Sequence, residues 1–493
     1  PYIGGGTAGI ADPEFRFFTP TFLAQLLFGI PVGFRLAIYI ATASGAIGML
    51  VLARRVGLSV YAALVAAIIV VFGSVNLLEV VEGHPNIFAA MYIPWIFWAW
   101  LGAYGNKPLF PFRKNSGRLW PLLCGLFLAL TFFQGGIYLL MYTGIAFFGL
   151  LFLVRHPVLA MRVTLQSAAW ALGLAAVKLI PVLFWLSQFQ DAQYVSSTYI
   201  FPYIDKILLG RILHGADTIL PNQPSGWHEY GAYVGPLTLL LAGIGFVRFR
   251  RRRLIQALLV AVVAATCLAS SGPILKPLFD HVDFIPRSNI SRFMLFAVIP
   301  LSLLAGFGAQ ATAHYLTRAF RLVTITYVVL LGLLAADLFT LSYLLSEQAF
   351  VIPRHIPPVR SAPYPIAYTA HTYKYDYFAT EEEKKKGAAA SHPRAYEATL
   401  AGWGTLAYCS VLTPPIAVRT IHDEGDNDLF SIHGNSTDAR GTFKLLSWSP
   451  NRVVARITVS EESTAILNTN YAKGWFVNGE PAREASNRVM TVV

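Results

Sequence analysis

The stretch Tyr230–Ser271, YGAYVGPLTLLLAGIGFVRFRRRRLIQALLVAVVAATCLASS, decides the fold. Two apolar runs, Tyr230 to Val247 and Leu254 to Ser271, are separated by little more than Arg248 and the run Arg250 to Arg253. Each run is close to the ~20 apolar residues that cross a bilayer core. A turn this basic stays on the cytoplasmic side of a membrane. One hairpin thus gives both the class of protein and its orientation.

The same pattern recurs outward from it. Further spans are predicted at Pro31 to Ala53, Gly57 to Val81, Pro85 to Tyr104, Leu119 to Phe133, Gly135 to Val154, Val163 to Ser187, Arg292 to Thr312 and Leu322 to Ser346, about ten in all. Leu119 to Val154 is too long for one crossing, so it is read as two short helices broken at Gln134-Gly135-Gly136. The composition agrees: 55% of the 493 residues are hydrophobic and 13% charged, which excludes an ordinary soluble domain. The fold class expected is mainly α, a polytopic helical membrane protein.

Every second loop is basic. Arg54 and Arg55; Lys107, Arg113, Lys114 and Arg118; Arg155 and Arg162; Arg248 and Arg250 to Arg253; and Arg318 and Arg321 make 15 of the 38 Lys and Arg, with no Asp or Glu among them. The remaining 23 basic residues are outweighed by 26 acidic ones. The formal charge of +12 is therefore a topology signal and not a nucleic-acid footprint. Parity places Pro1 to Ile30, Glu82-Gly83-His84, Gln188 to Glu229, Gly272 to Ser291 and everything after Ser346 outside. The loop Gln188 to Glu229, with Asp191, Asp205, Asp217, Trp227, His228 and Glu229, is longer than a connector needs to be. Cys124, Cys267 and Cys409 show no paired spacing, so neither a disulfide framework nor a zinc site is expected. The sequence starts in mid-loop without Met and stops inside the apparent strand Arg488 to Val493. It is read as lacking its true N-terminus and as cut at its C-terminus.

Beyond Ser346, Pro353, Pro357, Pro358, Pro363 and Pro365 mark a linker, followed by the charge block Glu381 to Lys386. Strand-like runs follow at Leu406 to Leu412, Thr442 to Trp448, Arg452 to Val459 and Thr464 to Thr469. Asn478-Gly479 suits a tight hairpin turn, because both residues tolerate positive φ. The division expected is a transmembrane domain over 1–346, a linker over 347–395 and an extracytoplasmic β-rich domain over 396–493.

Ionisable residues inside spans cost ~2.5–3.5 kcal/mol each at a helix centre, so they are informative. Arg35, Glu79, Lys178, Asp337 and Arg292 all fall toward the outer side, where they are expected to line one cavity. The alternative is snorkelling, above all for Arg35 and Arg292, or structural ion pairs such as Lys178 with Asp337 or Glu79. In the first loop, PYIGGGTAGIADPEFRFFTP (Pro1–Pro20), Asp12, Glu14 and Arg16 stand together. A carboxylate there suits a general base, or a ligand holding a divalent cation such as Mg or Mn against a phosphate; the other reading is a wet turn at Asp12-Pro13. Glu82-Gly83-His84-Pro85 pairs carboxylate and imidazole, as metal binding or proton shuttling requires, although on its own a polar two-helix turn is the favoured reading. In DHVDFIPRSNISR (Asp280–Arg292), Arg287 and Arg292 precede a helix, which suits a phosphate or pyrophosphate; a lipid headgroup without catalysis would use the same residues, and the specific phosphate is the favoured reading. No P-loop, G-x-S-x-G or Cys-x-x-Cys is present in the sequence.

Six segments in this order, PYIGGGTAGIADPEFRFFTPTFLAQLLFG, EGHPNIFAAMYIPW, AAVKLIPVLFW, EYGAYVGPLTLLLAGIGF, IPRSNISRFMLFAVIPLSLLAGFG and LNTNYAKGWFVNGEP, resemble the bacterial YfhO-like membrane proteins. The resemblance implies a GT-C type glycosyltransferase fold in the bacterial cytoplasmic membrane. It implies transfer of a sugar from a polyprenyl-phosphate donor to a cell-envelope glycan or lipid acceptor on the extracytoplasmic side, usually with inversion. In such enzymes the catalytic carboxylate sits in the first outer loop. Asp12 or Glu14 then takes that role here unless the family's Asp precedes Pro1. Arg287 and Arg292 become phosphate partners, and Glu82, His84 and Lys178 substrate contacts. At the C-terminal GW turn Asn478 stands where the family commonly has Asp, and its role there looks structural. The partners expected are membrane lipids, a lipid-linked donor and an envelope acceptor, with no nucleic acid. Competing readings are a transporter, or a non-catalytic envelope assembly protein.

Overall fold

The computed structural model describes residues 9–81, 84–104, 119–186, 199–212, 220–221, 226–271, 290–320, 323–349, 368–369, 404–405, 430–434, 441–449, 452–470, 474–485 and 488–492. Contacts divide the chain into two units: Pro13–Val182 with Gln193–Phe350, and Pro1–Asp12 with Leu183–Ala192 and Val351–Val493.

The larger unit is helical. Its helices are α1 (Pro20–Arg55), α2 (Val60–Phe72), α3 (Ser74–Val81), α4 (Ile93–Tyr104), α5 (Leu119–Phe133), α6 (Ile137–Leu153), α7 (Pro157–Leu186), α8 (Ile204–Leu209), α9 (Pro236–Phe249), α10 (Arg253–Ala269), α11 (Met294–Phe320) and α12 (Val323–Ala349). Starts are set by local chemistry: Thr19 accepts from the Phe22 amide ahead of Pro20, and Ser59 from the Ala62 amide, so otherwise orphaned donors are satisfied. At Gly29 α1 breaks (φ 73°), separating a short apolar helix from the long span behind it.

Among the described residues six helices are long and apolar enough to cross a membrane: Val32–Arg55, Val60–Val81, Pro85–Tyr104, Pro157–Phe184, Ile290–Leu316 and Thr324–Leu345. The chain is a multi-pass membrane protein. The remaining four of the expected segments are the shorter helices α5, α6, α9 and α10, of 15, 17, 14 and 17 residues, the first two short as the sequence predicts. The span expected from Tyr230 starts only at Pro236, because residues 230–235 run in extended or turn conformation.

Helix α11 is central: 94% of its most apolar stretch is buried, against 22% for α7 and α12, which turn most of their apolar surface outward. It packs against α2, α9 and α10. Its crossing with α9 is close because glycines face each other: a Cβ on Gly308 would collide with the Leu241 carbonyl, and one on Gly245 with that of Leu304. Small residues at such crossings let helices gain van der Waals contact where lipid offers no hydrophobic drive.

Helix ends sort by charge. Arg55 stacks on Trp120 at 4.7 Å, the His156 amide donates to Tyr104 Oη, and the Ser59 amide donates to Gln310. These contacts bring the C-terminal end of α1, with Arg54 and Arg55, the end of α4, the starts of α5 and α7 and the second half of α11 to one end of the bundle. The break between α5 and α6 falls at Gln134–Gly136 as the sequence predicts, and it belongs to the opposite end, where the first loop docks.

The smaller unit carries the strands. An antiparallel sheet of order β3 (Phe430–Gly434), β6 (Ser463–Asn470), β10 (Arg488–Val492) and β9 (Arg483–Ala485) is accompanied by two hairpins, β4 (Thr442–Ser449) with β5 (Arg452–Thr458), and β7 (Phe476–Val477) with β8 (Glu480–Pro481). Leu467 and Ala482 are buried against Phe443, Leu445, Val453, Trp475 and Val477. Asn478 (φ 53°) and Gly479 (φ 92°) form the tight turn of the second hairpin, both left-handed as a primed turn requires. A short parallel pair joins β1 (Tyr368–Thr369) to β2 (Gly404–Thr405). The strand expected at Leu406 to Leu412 lies outside the described residues.

Candidate functional site

Three segments far apart in sequence converge on one guanidinium. Arg292 sits in the 3-10 turn Ile290–Phe293 that leads into α11. Its Nε lies 3.0 Å from Glu79 Oε1 near the end of α3, and it donates through Nε and Nη2 to Glu229 at 2.7 and 2.5 Å. The second carboxylate belongs to the 3-10 turn Trp227–Glu229. Side-chain exposure is 13% for Arg292, 2% for Glu79 and 5% for Glu229. Two buried carboxylates on one buried arginine survive only because the charges and hydrogen bonds offset desolvation. The ring of Tyr138 covers the guanidinium at 4.8 Å.

Two imidazoles complete the cluster. His84 directs Nδ1 to Glu79 Oε2 at 2.7 Å, His228 Nε2 lies 3.6 Å from Glu229 Oε1, and the two rings meet edge to face at 5.4 Å. Ligand atoms of His84, His228 and Glu229 all lie within 4.8 Å of one another. A cavity of about 10 Å3 opens here, lined among others by Glu79, His228, Glu229, Ser291 and Arg292. Burial would raise the Glu229 carboxyl, but the Arg292 charge, the nearby His228 and the hydrogen bonds from Arg292 overcome it and hold Glu229 well below the usual carboxylate range.

The first loop packs against the same end. Lys178, fully buried on α7, donates to the carbonyls of Pro13 (3.0 Å), Phe15 (2.6 Å) and Phe132 (3.0 Å), so it binds the loop to the end of α5. The Phe17 amide donates to Phe133, and Thr21 to the side chain of Gln134 at 2.6 Å. Gly135 (φ 87°) is required where it stands: a Cβ would strike the Glu14 carbonyl. Glu14, half-buried, acts electrostatically on Tyr138 together with Arg292, Glu79 and Glu229. Arg16 is half-buried above Phe34 at 6.0 Å, with Nη1 lacking a partner among the described residues, and burial pushes its guanidinium down to about 10.

Of the residues singled out in the sequence, His84 and Arg292 join this cluster, both through Glu79, Glu14 acts on it through Tyr138, and Lys178 holds the loop that carries Glu14. Asp12 is buried and groups with the smaller unit. Glu82 and Arg287 lie outside the described residues. The five ionisable span residues do not share one cavity. Glu79 and Arg292 do; Lys178 is engaged with carbonyls; Asp337 accepts from Tyr233 Oη (2.8 Å) and from Arg211; Arg35 is exposed. Snorkelling of Arg292 is ruled out by its two carboxylate partners. His228 and Glu229 were not assigned a role from sequence. The signal was there: a second imidazole–carboxylate dipeptide immediately before an apolar run, as at Glu82-Gly83-His84.

The fold and site define a multi-pass helical membrane protein with a buried charged cluster at one end of its bundle. Among solved structures it is similar to the oligosaccharyltransferase of Archaeoglobus fulgidus, with a tethered acceptor peptide (TM-score 0.40, 12% identity, 80% of this chain and 56% of that one) and in the apo form (TM-score 0.40, 13% identity, 82% and 58%). The chain spans just over half the length of those chains. No protein-family model and no curated protein matches it.

Proposed function

We propose that this protein is a GT-C type membrane glycosyltransferase that moves a sugar from a polyprenyl-phosphate donor to a cell-envelope acceptor on the extracytoplasmic side. One observation carries the reading. The segments on which the YfhO-like resemblance rests, widely spaced in sequence, bring Glu14, His84, Lys178, Glu229 and Arg292 to the same end of the bundle, opposite the arginine-rich ends. Sugar transfer from a lipid phosphate needs a base for the acceptor hydroxyl and cations for the departing phosphate. In this proposal Glu14, or Asp12, takes the hydroxyl proton. Arg16 serves the phosphate, and Arg287 keeps the phosphate role assigned to it from the sequence, because the charge of Arg292 is already offset by Glu79 and Glu229. Lys178 positions the loop that carries the base.

The test is complementation in a host strain lacking the full-length protein, with envelope glycans read by mass spectrometry. Wild type is expected to restore a glycan that Asp12→Asn with Glu14→Gln, at equal membrane abundance, reduces by on the order of 100-fold or more. Undiminished glycan in that double variant, and in Arg16→Gln, would reject the assignment.

A further inference from the structure

We propose that His84, His228 and Glu229 bind one transition-metal dication of the zinc class, with Glu79 as outer partner of His84. The proposal does not rest on glycosyl transfer. It departs from the expectation, drawn from cysteine spacing, of no zinc site.

Four observations carry it. First, the ligand atoms of these three residues already lie within 4.8 Å of one another; a tetrahedral shell at Zn–N distances of ~2.1 Å would bring them to roughly 3.3 Å, a change within reach of side-chain rotation. Second, His84 gives Nδ1–H to Glu79, which leaves the imidazole lone pair at Nε2; a carboxylate behind a histidine is the arrangement that orients a metal-bound imidazole. Third, His228 Nδ1 and Ser291 Oγ are buried, lack a hydrogen-bond partner among the described residues, and belong to residues lining the same cavity. At about 10 Å3 that cavity has room for a single ion or water. Fourth, with neutral imidazoles the two carboxylates and one guanidinium leave one buried negative charge in excess. A dication carrying one anionic oxygen ligand removes it.

The donor set selects the metal. Two imidazoles and a carboxylate suit zinc, cobalt or iron(II), whereas magnesium prefers an all-oxygen octahedral shell. Arg292 fixes Glu79 and Glu229, so both the outer partner and the carboxylate ligand are held in place before an ion arrives.

The test uses the full-length protein in lipid nanodiscs, stripped with a chelator, dialysed against zinc and analysed by mass spectrometry. Wild type is expected to retain about one zinc per chain. His84→Ala with His228→Ala is expected to lose it, and Glu79→Gln to weaken binding by roughly 10- to 100-fold. Cobalt added to stripped wild type should give visible absorption bands of low coordination number, displaced by zinc and not by millimolar magnesium. Zinc retention equal in wild type and the double histidine variant, or stripped wild type without cobalt bands, overturns the proposal. If the double variant fails to fold, the cobalt spectrum of wild type and its displacement decide alone.

Discussion

Arg292 shows at the scale of one residue how a buried charge is held. Its guanidinium is offset by two carboxylates, so removing it leaves both uncompensated. Arg292→Met is expected to destabilise the protein by about 3–5 kcal/mol, measured by denaturant unfolding in detergent. Arg292→Lys keeps the charge but not the two-pronged contact, and should fall between the two. Glu229 gives a pH signature. Its folded pKa is depressed, so its stabilising charge is fully present above the ordinary carboxylate value of ~4.3 and is lost as pH falls from there through the depressed folded value. Glu229→Gln should therefore show a shallower acid limb than wild type below about pH 4 and an unchanged slope near neutrality. Equal acid limbs would mean that Glu229 is not charged in the folded state.

At the scale of elements, the break between α5 and α6 makes a seat for the first loop. Gly135 gives up a side chain so that Glu14 can approach, and Lys178 spends its ammonium on three carbonyls. Gly135→Ala combines a left-handed backbone with a collision, and is expected to cost about 2 kcal/mol or more and to displace the loop. Lys178→Met keeps the length and apolar stem but orphans the carbonyls, each worth about 1–3 kcal/mol when buried. Both variants should raise the rate of proteolysis between Phe15 and Phe18 in the folded protein, and an unchanged rate would refute the docking. The helix break itself was legible in sequence from length and Gly135-Gly136. The docking was not, because backbone carbonyls carry no side-chain signature.

The larger unit is a helical bundle with arginine-bearing turns at one end and the buried cluster at the other. Positive loops are retained on the cytoplasmic side, so reporter fusions after Arg253 should be active only inside and fusions after His228 only outside. The same sidedness in both fusions would overturn the alternation. Length and apolarity made the helical class, and the places of most helices, readable from sequence. The short helices α5 and α6 were read as such, whereas the late start of α9 was not, since helix ends depend on packing and capping as much as on hydropathy. Strands β4, β5 and β6 and the turn at Asn478-Gly479 were legible from alternation and turn chemistry, which are local.

Hydropathy and charge act along the chain, so the sequence by itself determined a multi-pass membrane protein and which loops are basic. It also singled out the ionisable residues inside spans, because each is costly in lipid and has to find a partner. Which partner each finds is a matter of three dimensions. Only the tertiary structure decided that Arg292 pairs with Glu79 and Glu229 and neither snorkels nor stands open to an anion. The same holds for Lys178, which binds the backbone of the first loop, and for His228, which meets His84. Helix packing sets those distances through the close crossing of α9 and α11, and that crossing depends on two glycines that no local pattern marks as a pair.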